Sequence, residues 1–406
     1  MYHPEILNVQ QTREIIRKYE NTTVKELIDI KDGNSRVLAQ NITVLIDVPP
    51  FDRSAMDGYS VIAEDLTNAS DSQPRFLKVV DEVGAGEITN HVLKFGEAIR
   101  IATGAQMPKG ADSIVMEENV EFKGEKIKIK TPISFNNDVS LIGEDLKKGE
   151  TILFEGQILG PQHLSVIASA GYNEIEVFKK PNIGVIITGT ELVEPSTDLK
   201  PGMIINSNQY ALKGVIEDSW AVAHIKQCPD NREKLVKDVI EAVEKYDAII
   251  TTGGTAISKG DLIVDIIEEL GEVPVHGVTI KPGKPFGFGI ISETPIFMLS
   301  GYPVAVAVQY DMFVRNYILK MQNVNKKYKM VKAIAGENVR SSPDKYNIIR
   351  ADFKEDEGIV YPIRTKAGIN KSILMSNCYI IAKEGIGMIK KGDECMVLKY
   401  NSIKFC

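Results

Sequence analysis

Lys281 and Lys284 flank a Pro-Gly turn in the run IKPGKPFGFG, residues 280–289. The turn fixes their relative direction, and two ammonium charges held in this way suit a phosphate or another oxyanion. A second loop, TTGGTAISKGD (251–261), places Gly253, Gly254 and Thr255 between an apolar run and a stretch of helical spacing. A glycine pair there lets backbone N–H groups approach an anion closely, although a tight turn with no ligand has the same spelling. Two more loops have this character: TGTE (188–191) with Gly189 and Glu191, and LSGYPVA (299–305), where Pro303 suits the first position of a helix. Carboxylates stand in other loops. FDRSAMDGYSV (51–61) holds Asp52, Arg53 and Asp57, ATGAQMPKGAD (102–112) carries Thr103, and Gly143-Glu144-Asp145 sets two acids after a glycine. Oxygen ligation of a metal is one reading of these acids; a solvated turn or helix start is the other.

The elements that must position these loops follow from periodicity. Residues 9–19 and 24–30 have helical spacing, and Pro49-Pro50 then stops regular structure. Residues 75–131 turn to short β-branched runs separated by Gly, Pro and Asn, the mark of a small β-rich domain. Pro161 and Gly171 bracket a helix. From residue 180 strands and helices alternate: strands at 247–251 and 273–280, helices at 209–217, 232–246, 261–270 and 304–321, the second with an apolar stripe of Leu235, Val236, Val239, Ile240 and Val243. Repeated β-loop-α units imply a parallel sheet with helices on both faces, whose ligands sit at the carboxyl ends of strands. The last 80 or so residues return to short strands with Gly and Lys turns, a small barrel or sandwich.

At 406 residues, several domains are expected. The net charge of −7 argues against nucleic acid as the main partner. Cys228, Cys378, Cys395 and Cys406 show no metal spacing and suit reduced thiols, and five separated histidines make no triad or zinc site. With no apolar run near the ~18 residues of a membrane span and no secretory leader pattern, a cytoplasmic protein is expected. Established phosphate and hydrolase motifs fail: the 277–283 interval is one residue too long for a P-loop, and neither G-x-G-x-x-G after a strand nor G-x-S-x-G occurs.

Taken together, VPPFDRSAMDGYSV, RIATGAQMPKGADSIVMEEN, GEDLKKG, ITGTEL, GGTAISKGD, KPGKPFGFG and SGYPVA resemble the molybdopterin molybdenumtransferase family, MoeA-type, related to the E domain of gephyrin, in order and spacing across the whole chain. The resemblance implies four domains: a segmented helical linker (1–50 and 140–178), a β-rich domain (51–139), a MogA-like α/β domain (179–327) and a C-terminal β-barrel (328–406). It implies a cytoplasmic homodimer whose active site lies between the α/β domain of one subunit and the β domain of the other. The implied reaction inserts molybdate into adenylylated molybdopterin with release of AMP, assisted by Mg²⁺. Catalytic roles fall on Asp57, Asp145, Glu191, Asp261, Lys281 and Lys284, the four acids doubling as metal ligands. Cofactor contacts fall on Thr103, Gly189, Gly253, Gly254, Thr255, Ser258, Pro282, Gly283, Ser300, Gly301 and Pro303. A MogA-type adenylyltransferase and molybdoenzyme chaperones are the implied partners.

The chain departs from the family pattern at several places. Thr190 replaces the Asp of TGDEL, Asn206 a frequent Asp, and Ser140 a frequent Arg; Ala256 and Ser258 alter GGVSVGxxD, and PGNP becomes Ser300-Gly301-Tyr302-Pro303. These changes keep two alternatives beside the insertase, a cofactor-binding or scaffold paralogue with reduced turnover and a tungstate-specific insertase. A third, an adenylyltransferase, follows from the resemblance of TTGGT to the MogA-type loop, but the four-domain pattern counts against it.

Overall fold

The computed structural model describes residues 6–253, 261–324, 330–366 and 368–400. The chain folds as two compact units, one of residues 1–26, 35–39 and 177–406, the other of residues 27–34 and 40–176.

The larger unit holds a six-stranded sheet in the order Val222–Cys228, Asn182–Thr188, Ala248–Thr252, Thr294–Leu299, Gly287–Ile291, Glu272–His276. Alternate side chains of each strand go to opposite faces. Val185, Ile187, Ile250 and Phe297 join one core with Leu212, Ile216, Val308 and Phe313, while Ile186, Ile249, Ile296 and Met298 join another with Leu235, Val239, Ile263 and Ile267. Helices Asn208–Glu217, Arg232–Lys245 and Leu262–Leu270 match expectation. In the second of them Ile240 is exposed and Ala242 buried in its stead. The long helix runs from 303 to 321 and contains a π-turn, Tyr310–Val314.

The sheet is mixed, which corrects the expectation of a parallel one. Its first four strands are parallel, but Gly287–Ile291 runs antiparallel to both neighbours. Ser292 and Glu293, both at positive φ, turn the chain straight back, the geometry of a two-residue hairpin that normally calls for Gly or Asn. The expected 273–280 strand is also two pieces. It breaks at Gly277 (φ 98°), and Ile280–Lys281 pairs in parallel with the C-terminal strand Tyr346–Lys354. Two reversals leave Glu272–His276 pointing the same way as the central strands, so four loops leave the sheet at one edge.

The expected C-terminal barrel is present. Tyr346–Lys354, Ile359–Pro362, Met330–Ala335, Glu394–Lys399 and Cys378–Ala382 form a closed ring, because the first strand pairs with both the second and the last. Its core of Ala351, Val360, Ile380 and Val397 includes Cys378 and Cys395. Burial pushes those thiols up to about 12 and about 11, and Cys228 likewise to about 11, so all three are inert.

The smaller unit carries a six-stranded sheet ordered Ser113–Met116, Gly58–Val61, Glu97–Ile101, Arg75–Val83, Lys126–Ile129, Val120–Lys123, as the β-branched runs predict. The bracketed helix is Pro161–Ser169, its first turn closed by the Gly160 N–H donating to His163 Nδ1 at 2.9 Å. Residues 24–30 are not helical. Lys25–Asp29 is a strand whose side chains alternate in exposure, closed by the one-turn helix Ile30–Asp32. The charged residues in VKELIDI permit either period, and the Ile30 N–H bonds the Asn173 carbonyl. Among the described residues no helix is long and apolar enough to cross a membrane.

Candidate functional site

In the larger unit the sheet-edge loops and the barrel enclose a cavity of about 1040 Å³. Its lining includes Glu191, Gly253, Lys281, Pro282, Gly283, Lys284, Ser300, Gly301 and Pro303, so most sequence-derived candidates of this unit meet in one place. Gly189 ends the neighbouring strand, its N–H donating to the Cys228 carbonyl at 3.3 Å. Gly254, Thr255 and Ser258 lie outside the described residues.

Backbone geometry explains the glycines. Gly253 has φ 93°, and a Cβ there would sit 2.1 Å from the Thr188 carbonyl oxygen. No side chain fits, and the strand end can approach its neighbour only as glycine. Gly283, at φ 109°, has the Gln309 side chain 2.9 Å from where its Cβ would be.

Gln309 is fully buried in the 303–321 helix and ties two loops together. Its Nε2 donates to the Gly283 carbonyl and to Ser300 Oγ, both at 2.9 Å, and its Oε1 accepts from the Ser300 N–H at 2.8 Å. Thr252 Oγ1 donates to the Ser300 carbonyl at 2.8 Å, and Asn208 Nδ2 to the Gly301 carbonyl at 2.8 Å. Three loops are thus fixed from beneath by buried amides and hydroxyls, each bond contributing about 0.5–1.5 kcal/mol and each lost partner costing more.

The barrel supplies a further set of cations. Arg340, Lys345, Arg350 and Lys366 line the same cavity as Lys281 and Lys284. Arg350 is buried, which lowers its pKa from the ordinary guanidinium value; it donates to Ser372 Oγ and, at 3.2 Å, to the Thr365 carbonyl. Lys281 Nζ donates to Ser342 Oγ at 3.0 Å, and Asn347 holds the Ser342 loop through three hydrogen bonds. Lys284 is exposed at the cavity. Sequence reasoning missed Gln309, Asn208 and the barrel residues, since no local motif surrounds them.

The acids behave differently. Asp261 is buried and caps the Leu262–Leu270 helix, accepting from the Ile263 N–H at 3.3 Å and the Val264 N–H at 3.5 Å; it does not line the cavity. Thr190 donates through its N–H and Oγ1 to Asp230 Oδ2, at 3.2 and 3.4 Å, so a carboxylate from the next strand's loop stands beside this position. Asn206 is buried, its Nδ2 donating to Gln227 Oε1 at 3.1 Å.

Asp57, Thr103 and Asp145 belong to the smaller unit. Asp57 Oδ1 accepts from the Thr103 N–H at 2.7 Å and from Thr103 Oγ1 at 3.0 Å, which holds this exposed carboxyl below its usual range. Asp52 binds both flanking loops: its carbonyl accepts from the Met107 N–H at 2.9 Å, and its Oδ1 from the Ile142 N–H at 2.7 Å. Ser140 donates to Glu144, closing the loop that presents the exposed Asp145. Among the described residues no group of three or more His, Cys, Asp or Glu side chains gathers to hold a metal ion.

The comparisons agree across the chain. Residues 7–171 match the model for the MoeA N-terminal region (domain I and II), 184–320 that for a probable molybdopterin binding domain, and 332–400 that for the MoeA C-terminal region (domain IV). A Methanocaldococcus jannaschii protein named for molybdopterin biosynthesis is 39% identical, with 92% of each chain covered. The molybdopterin molybdenumtransferase of Haemophilus influenzae is 30% identical over 98% of this chain and 100% of its own. Two crystal structures of a molybdopterin biosynthesis MoeA protein from Pyrococcus horikoshii, each 32% identical, superpose with TM-scores of 0.86 and 0.83, covering 97% and 98% of this chain and 99% and 100% of theirs. The chain belongs to the MoeA family.

Proposed function

We propose that the protein is a molybdopterin molybdenumtransferase that takes adenylylated molybdopterin and molybdate and releases AMP. The observation that carries this reading is the convergence, on one cavity, of Lys281 and Lys284 from the α/β loops with Arg340, Lys345, Arg350 and Lys366 from the barrel. A substrate with a phosphoanhydride and an incoming oxyanion brings several negative charges, and clustered cations in a chain of net charge −7 supply a local positive field for them. When water hydrolyses the anhydride between the two phosphates, one phosphate stays on molybdopterin and charge builds on the departing AMP. Lysines in a preformed cradle stabilise that charge without reorganising, so the side chains need no covalent role. Gln309 and Thr252 keep the cradle loops in place.

Magnesium supplies charge neutralisation in this chemistry when bound. Its coordination is proposed to need residues of a second copy, in keeping with a homodimer working in the cytoplasm beside a MogA-type adenylyltransferase. Thr190, which replaces an acid of the family pattern, hydrogen-bonds the Asp230 carboxylate, so an acid still stands beside this position.

The test is to incubate the purified protein with adenylylated molybdopterin and Mg²⁺ and to follow AMP with and without molybdate. Molybdate-dependent AMP release is expected; tight binding without release would instead identify a scaffold. Tungstate at matched concentration decides the oxyanion.

A further inference from the structure

Tyr302 stands where PGNP-type sequences carry Asn, directly before Pro303. Its backbone (φ −75°, ψ 126°) has the conformation of a helix N-cap, but its side chain makes no capping hydrogen bond. Asn is among the best residues for that task because its oxygen accepts from the free N–H groups of the first turn, and Tyr cannot replace it. The chain therefore forgoes a cap. In exchange it sets an aromatic ring, 66% exposed, on the wall of the cation-lined cavity. The barrel loop nearby has Gly368, where a Cβ would stand 3.6 and 3.7 Å from ring atoms Cδ1 and Cε1, so this loop borders the ring at van der Waals range. Ile204, also mostly exposed, and Leu192 add apolar surface to the same cavity.

We propose that Tyr302 is a specificity-determining residue, stacking on the planar nitrogen heterocycle of a phosphorylated ligand whose phosphate goes to Lys281 and Lys284. An exposed ring beside clustered cations suits a ligand that is flat and apolar at one end and anionic at the other. Both halves of adenylylated molybdopterin answer to this description, the adenine nucleotide and the pterin phosphate. Which of them occupies the site rests on the proposed function; the stacking role does not.

Isothermal titration of the full chain with AMP, with a pterin monophosphate and with the ringless ribose 5-phosphate separates these. At least one ring-bearing probe is expected to bind about 5- to 150-fold more tightly than ribose 5-phosphate. The probe with that preference names the half that stacks. Tyr302→Phe should keep the preference, and Tyr302→Ala should abolish it while leaving ribose 5-phosphate binding unchanged. Tyr302→Asn should also abolish it and yet unfold at or above the wild-type temperature, because Asn restores the cap; a ring with a merely structural role would not divide affinity from stability in this way. Equal affinity for ringed and ringless probes, or a preference surviving in Tyr302→Ala, overturns the stacking role while leaving the phosphate site intact. Failure of all three probes to bind overturns it together with the anion role of the lysines. A ring preference in a protein that releases no AMP upholds Tyr302 and removes only the reaction.

Discussion

The two loop systems of this protein are held in opposite ways. Around the cavity of the larger unit, Gly253, Gly283 and Ser300 are fixed from below by Gln309 and Thr252, side chains with almost no exposure. In the smaller unit Asp57 and Asp145 are exposed, and Asp57 is held by Thr103, itself exposed. A buried amide is costly to leave unpartnered, so it fixes geometry strongly; an exposed pair exchanges freely with water and mainly sets a protonation state. The first system suits a preformed anion cradle, the second a carboxylate kept ionised for a cation or a ligand donor.

This contrast fails or holds on substitutions in each system. The largest effect should come from Gln309→Leu, which strands the Ser300 N–H and the Gly283 carbonyl in the core. A stability loss of about 3–5 kcal/mol in urea unfolding is expected, and a loss below about 1 kcal/mol would show that the loops hold themselves. Gly253→Ala comes next. Its positive φ and the overlap with the Thr188 carbonyl should remove roughly 1–3 kcal/mol and most of the activity. Thr103→Val should be the smallest, with an unfolding midpoint indistinguishable from wild type. Its signature is instead the Asp57 titration followed by NMR. Hydrogen bonds from Thr103 depress the folded-state pKa, so their contribution is complete above the ordinary carboxylate pKa and lost as pH falls through the depressed value. Thr103→Val removes the Oγ1 bond but keeps the larger contribution of the Thr103 N–H, so the titration should move only part of the way up toward the ordinary range; an unmoved titration would assign the depression to the backbone N–H alone.

Legibility in the sequence followed the range of each interaction. The glycine and lysine loops were visible because strand end, turn and charge are neighbours in the chain, and the barrel because its short strands and turns repeat. Ser292-Glu293 hid the antiparallel hairpin, since neither residue announces positive φ. Gln309 looked like an ordinary polar position in an apolar helix, its role depending on loops 9 and 26 residues away. Arg350 and Lys366 reach the cavity only through barrel closure, which no local pattern records. Asp261 was singled out by its spacing after the glycines, and that spacing serves equally for a helix cap.

If the cation-lined cavity of the larger unit performs the transfer, Lys284, one of its exposed cations, must contribute to it. Molybdate-dependent AMP release by Lys284→Ala, measured beside the wild type at saturating adenylylated molybdopterin, should fall by about 10- to 100-fold, as expected for losing a charge-assisted contact to the departing phosphate. Release at the wild-type rate would contradict the account.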